Sequence, residues 1–150
     1  MVSADHGSDP SGQDGPFDPA AHGWEALSDD GYIGLVGPIW QKPDGNGMRF
    51  AFLADSKHRN RLGIVHGGMI MTFADRVLGM TAHSAIGGKP HATIQLDVHF
   101  VAAIQIGQLV EARADVVRRT RDLIFMKGDL VVDGRIVATA NGIWKILTSG

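Results

Sequence analysis

Cysteine is absent from this 150-residue chain. That single absence removes disulfides, thiolate metal sites and a cysteine nucleophile, and it suits a reducing compartment. No uncharged apolar run approaches the length needed to cross a bilayer. The N-terminus carries neither the basic start nor the apolar stretch of a secretory leader, so a cytoplasmic location without membrane partners is expected. A strong charge of either sign is missing too, the net charge being −2. Four of the 16 acidic residues, Asp5, Asp9, Asp14 and Asp18, lie in a stretch without Lys or Arg, which leaves 12 against 14 basic residues elsewhere. That excess suits a phosphate-bearing ligand but is too small to argue for nucleic acid. There is no Gly-x-Ser-x-Gly elbow, P-loop or dinucleotide fingerprint. Asp55, His58 and His66 lack metal-ligand spacing, so no metal is expected.

What is present divides into a tail and one domain. Residues 1–20 are rich in Gly, Pro, Asp and Ser. Such a composition cannot bury enough apolar surface to offset ordering, and a disordered acidic tail is expected there. Residues 21–150 are long enough for a single domain with its own core. The pattern predicts a short helix over 19–27 with Trp24 and Leu27 docking. It predicts a strand over 32–41, broken at Gly37-Pro38, then a hairpin turn at Asp44-Gly45-Asn46-Gly47 and a second strand over 48–53.

From Gly67 to about Ile86 only Asp75 and Arg76 are charged, and Ile70, Phe73, Val77 and Met80 recur at helical spacing. Gly87-Gly88 and Pro90 stop that helix. Ala92, Ile94, Leu96, Val98 and Phe100 alternate with Thr93, Gln95, Asp97 and His99, the best period-2 signal in the chain. Further strands are expected over 110–116, 123–132 and 136–147. One helix cannot cover both faces of such a sheet. The expected fold is therefore α+β, a curved antiparallel sheet wrapped around one long central helix.

The chemistry concentrates at Asn60-x-x-Gly63-x-x-His66-Gly67-Gly68-x6-Asp75. Backbone N–H groups at a helix start can bind developing negative charge. Gly67 would supply the N–H that polarises a carbonyl, and Gly68 lets a substrate approach without meeting a Cβ. Asp75, a carboxylate in an apolar helix, needs a partner or a task. It would be general base or nucleophile, against an ordinary pairing with Arg76 or Arg49. Asn60 would hold the water or the carbonyl, against a turn role. Arg118, Arg119 and Arg121 could meet phosphates, against a solvated basic turn.

This motif resembles that of the hotdog-fold acyl-CoA thioesterases, in particular the PaaI-like group. The resemblance covers roughly residues 30–148. It implies the hotdog form of the fold above and hydrolysis of an acyl-CoA thioester without a cofactor, coenzyme A being part of the substrate. It implies His66 as a site residue but not the base, and Thr93 as a contact to the water or to Asp75. Gly67 and Asp75 stand roughly 12 Å apart along one helix. A base must come within about 3 Å of the water it activates, so a composite site at a dimer interface is expected. Gly67 and Asn60 would come from one subunit, Asp75 and Thr93 from the other, within a homotetramer built as a dimer of dimers. The 92–101 strand could supply the pairing edge. A non-catalytic acyl-CoA sensor and an acyl-thioester dehydratase or hydratase are the alternatives. Aryl-acetyl, benzoyl and medium-chain acyl groups all remain open.

Overall fold

The computed structural model describes residues 15–148. Most of the expected tail, residues 1–14, lies outside that range. After a 3-10 turn at Ala20–His22 come β1 (Glu25–Ala26), α1 (Gly31–Val36), β2 (Trp40–Asp44) and β3 (Gly47–Leu53). A second 3-10 turn, Ser56–His58, leads to the long helix α2 (Gly67–Ala85), followed by β4 (His91–Phe100), β5 (Leu109–Arg119), β6 (Leu123–Val132) and β7 (Arg135–Ile146).

The strands form one antiparallel seven-stranded sheet in the order β1-β2-β3-β5-β6-β7-β4. It is open, with β1 and β4 as its two free edges among the described residues. This corrects the expectation of a curved sheet wrapped around the helix. The helix lies against one face, and its own sequence explains why that suffices. Met69, Ile70, Phe73, Ala74, Val77, Leu78 and Ala82 make one buried stripe. Burying each larger member contributes about 1.5–3 kcal/mol, and the stripe meets β3 to β7. The opposite side carries Thr72, Asp75 and Arg76, which need polar partners rather than more sheet. Two come from the segment before β2: the Tyr32 hydroxyl lies 3.0 Å from Thr72 Oγ1, and Asp29 pairs with Arg76.

Two elements differ from expectation near the N-terminus. The strand expected over 32–41 is instead α1 followed by β2. A short apolar run has no decisive period, and here Ile33 and Val36 pack inward while Tyr32 and Leu35 remain exposed. The helix expected over 19–27 is a 3-10 turn followed by β1, although Trp24 does dock, 4% exposed beneath the Lys42 ammonium. The hairpin forms at Asp44–Gly47 as expected. Hydrogen bonding from Arg49 holds the Asp44 carboxyl below the usual carboxylate range against the opposing effect of burial, with Arg113 adding to the lowering. That ion pair supports the turn at neutral pH and is lost as pH falls through the lowered value.

β4 contains the feature that most affects function. Its pairing with β7 shifts register between Thr93 and Gln95, so Ile94 is the extra residue of a β-bulge and stands exposed at 56%. A bulge reverses which parity of side chain faces inward. Beyond it Leu96 and Val98 pack against the core. Before it, His91 and Thr93 reach α2, bonding Gly79 O and Asp75.

Candidate active site

The first turn of α2 is built by His66. Its Nδ1 accepts the Gly68 N–H at 2.7 Å, and its carbonyl accepts the N–H groups of Met69 and Ile70. The His66 N–H itself bonds His58 O, so with those of Gly68 and Met69 three of the four N–H groups that a helix start leaves open are engaged. The fourth, Gly67 N–H, has no acceptor among the described residues. Gly68 therefore serves the cap instead of presenting a donor. A Cβ on it would lie 2.9 Å from His66 Nδ1, so a Gly68→Ala substitution should push the imidazole away. Losing such a cap costs about 1 kcal/mol. Gly68→Ala and His66→Ala should therefore lower the melting temperature by similar amounts, measured side by side. A fully stable Gly68→Ala protein would contradict this account of the turn.

Asn60 closes the loop before the helix. Its Oδ1 accepts the backbone N–H groups of Leu62 at 2.8 Å and Ile64 at 3.3 Å. This is the turn role, and it leaves the donor end of the amide uncommitted. With the oxygen occupied, only the Nδ2 hydrogens are left for a ligand, so Asn60 can donate to a carbonyl or a water but cannot orient a water by accepting from it. His58, in the same loop, is buried. It accepts the Asp55 N–H at Nδ1 and donates from Nε2 to Val36 O at 2.6 Å. Both ring nitrogens are spent on structure. The Ser56 backbone N–H holds the Asp55 carboxyl below its usual range.

Asp75 is half-buried, two turns into α2, and Thr93 Oγ1 donates to its Oδ1 at 2.8 Å. The cations that could have neutralised it are committed elsewhere: Arg76 to Asp29, and Arg49 to Asp44 and Glu111. Asp75 has no ion-pair partner among the described residues. It borders a pocket of about 430 Å³ walled by Asp75, Arg76, Gly79, Met80, His83, His91, Thr93 and Trp144. A carboxylate with one hydroxyl donor and one open oxygen, beside a mostly apolar cavity, is equipped to take a proton from water or to attack an acyl carbon.

The three arginines do not gather at this site. Arg119 bonds Ala85 O at the end of α2 at 3.1 Å, Arg121 pairs with Asp122, and Arg118 is exposed on β5. All three sit around the β5–β6 hairpin. No group of three or more metal-capable side chains occurs among the described residues.

The model of one protein family, the thioesterase superfamily, matches residues 62–139, a span that includes Gly67, Asp75 and Thr93 and covers more than half of the chain. The chain belongs to the thioesterase superfamily. It is thus an enzyme of the thioester-hydrolase class. A Pseudomonas aeruginosa protein provisionally named an esterase is 29% identical over 116 residues, 76% of this chain and 87% of the relative. A Bacillus halodurans protein solved with CoA superposes with a TM-score of 0.67 at 24% identity, over 73% of this chain and 74% of that one. The E. coli PaaI protein of the phenylacetic acid degradation operon superposes with a TM-score of 0.64 at 16% identity, covering 68% and 73%. The likeness to the PaaI-like hotdog thioesterases holds, although the wrapped sheet expected with it does not form here.

Sequence reasoning about this thioesterase missed the pocket walls His91, Gly79 and Trp144. A signal for Gly79 was available, since it lies one helical turn beyond Asp75 and so on the same face. The signal for His91 was its i−2 spacing from Thr93 along one strand. Trp144 had none, because its place opposite Thr93 is set by the β4–β7 register.

Proposed function

We propose that this thioesterase hydrolyses acyl-CoA thioesters to a free acid and coenzyme A. The observation that carries the reading is the Asp75 carboxylate, bonded by Thr93, free of any cation among the described residues, and bordering the pocket. Asp75 serves as general base on water or as nucleophile on the thioester carbon. The Gly67 N–H, left without an acceptor by the His66 cap, polarises the carbonyl, and the Asn60 amide donates beside it. Removing a donor of the Gly67 kind costs about 10²–10³ in rate. The CoA bound to the Bacillus relative supports coenzyme A as the leaving group. We assign the phosphates to the arginines of the β5–β6 hairpin. A sensor without catalysis would leave Asp75 with no task, and the sequence offers no dehydratase pattern.

A second copy of the chain completes the site. Gly67 and Asp75 lie on one continuous helix, roughly 12 Å apart along its axis, too far to serve one carbonyl. β4 is a free edge that exposes Ile94 and Phe100, with Val101 exposed just beyond it, the kind of edge that pairs with a copy of itself. The Phe100 ring is 3.4 Å from where a Gly67 Cβ would stand, so the free N–H lies beside that edge. Pairing there would bring Gly67 and Asn60 of one protomer toward Asp75 and Thr93 of its partner, and two such dimers would give the tetramer.

The test is thiol release from a panel of aryl-acetyl-, benzoyl- and medium-chain acyl-CoAs. Steady release from at least one member is expected. Binding throughout the panel with no thiol released would favour the sensor instead.

A further inference from the structure

Arg76 follows Asp75 in the chain and lines the same pocket, where Asp75 is the one carboxylate among the described residues. A carboxylate with a guanidinium at hand readily pairs with it. The paired carboxylate is a weaker base and a weaker nucleophile, because the cation favours its charged form. Here that pairing is prevented from outside the pocket. Arg76 Nη2 donates to Oδ1 of Asp29, 47 residues earlier in the chain. Both side chains are largely withdrawn from solvent, Arg76 being 32% and Asp29 17% exposed.

The backbone delivers Asp29 to that place. Gly31 takes φ +59°, a turn that glycine makes without strain. α1 then folds back over the residues before it, so closely that a Cβ on Gly34 would stand 2.8 Å from Asp29 O. Tyr32 pins the same segment to α2. Thr72 Oγ1 gives its one proton to Gly68 O at 2.8 Å, so the Tyr32 hydroxyl, 3.0 Å away, donates to Thr72. Tyr32 and Asp29 thus meet α2 at Thr72 and Arg76, an i, i+4 pair on one face. The ion pair itself is incomplete. Asp29 Oδ2 and Arg76 Nε are buried without partners among the described residues. A bidentate pair would use both, whereas here one hydrogen bond to Asp29 holds the guanidinium.

We infer that Asp29 is a positioning residue for the hydrolysis, holding the Arg76 guanidinium away from Asp75 and so keeping Asp75 an unpaired base or nucleophile. This role rests on the thioesterase reading and adds to it a residue that does not line the pocket. Asp29 acts through Arg76. Neighbouring positions on a helix point about 100° apart, so helical spacing alone does not join Arg76 to Asp75. The long, flexible arginine side chain closes that gap once Asp29 no longer holds it, and its unused donors then find the open oxygen of Asp75.

The experiment uses the full chain carrying Asp29→Asn, which keeps the size and an accepting oxygen but removes the charge. A crystal structure of this variant should show the Arg76 guanidinium within about 4 Å of the Asp75 carboxylate, the distance of an ion pair. On an acyl-CoA that the wild type hydrolyses, kcat per folded molecule should fall roughly 3- to 30-fold, as expected when a paired base gives up part of its basicity. The Kd for free coenzyme A, measured by calorimetry, should stay near the wild-type value. The deciding variant is Asp29→Asn combined with Arg76→Gln. With the cation gone, its kcat should rise above that of Asp29→Asn alone. A merely structural role, in which losing the ion pair loosens α1, predicts no such recovery. Asp29→Glu, which keeps the charge, should retain most of the turnover. Asp29→Ser is carried in parallel, so poor folding of one substitution does not leave the outcome open. Unchanged kcat in both Asp29→Asn and Asp29→Ser, or a loss that Arg76→Gln does not relieve, overturns the inference. Absence of thiol release by the wild type would defeat the hydrolytic reading alone. The variant structure then decides separately, and a guanidinium that stays off Asp75 without Asp29 overturns the inference as well.

Discussion

Asp75→Asn should abolish most thioester hydrolysis and leave the folded protein nearly unchanged. The substitution keeps the size of the side chain and an oxygen that can still accept from Thr93 Oγ1, which donates to Asp75 at 2.8 Å. It removes the basic and nucleophilic oxygen. A positioned acid–base group is worth about 10²–10⁴ in rate, and a loss in that range is expected in kcat. Stability should move little, because no ion pair is broken: Arg76 is held by Asp29 and Arg49 by Asp44 and Glu111. Substitutions that leave packing and pairing intact usually stay within about 0.5 kcal/mol. Turnover and melting temperature, measured on one preparation, decide the matter. A well-folded Asp75→Asn protein with near-normal turnover would remove Asp75 from the mechanism. Single-turnover hydrolysis in oxygen-18 water then separates the two roles: label appearing in the protein indicates direct attack by Asp75, and label appearing only in the released acid indicates activated water.

The sequence makes most of this site legible for a physical reason. Its parts lie close together along the chain and announce themselves locally. A cap, two glycines and an apolar helix with one carboxylate occupy consecutive residues, and a helix fixes spacing by itself. The α2 bounds, the Asp44–Gly47 hairpin and the four later strands follow from local period and turn chemistry in the same way. What escaped depends on residues far apart in sequence. Strict alternation along β4 puts Thr93 on the face opposite Leu96 and Val98, and only the bulge at Ile94 turns it toward Asp75. Trp144 enters the pocket through the β4–β7 register. The sheet stays open because α1 and Asp29 provide partners for the polar side of α2, which no periodicity of the helix reveals. For Asn60 the turn reading holds, since loop closure uses its oxygen and leaves its nitrogen without a partner among the described residues.

Mixing two inactive proteins should restore activity if the site is shared between subunits. One partner is Asp75→Asn. The other is Asn60→Asp rather than Asn60→Ala. The aspartate keeps the oxygen that accepts the Leu62 and Ile64 N–H groups at 2.8 and 3.3 Å. It loses the Nδ2 donor and places a negative charge where the carbonyl oxygen becomes negative. Each protein alone forms dimers in which both sites carry a defect. In a mixed dimer with two-fold symmetry one site collects both defects and the other collects neither. Random exchange at equal concentrations makes half of the dimers mixed, so about a quarter of the wild-type rate should return. The recovery should appear only after the subunits exchange, for example through dilution and reconcentration, and it should rise with the fraction of mixed dimers seen by native mass spectrometry. Mixed dimers without recovered turnover would mean that each protomer carries a whole site. In that case the carbonyl bound near Asp75 must find its donor on the same subunit, and Gly67, about 12 Å away along α2, would not be that donor.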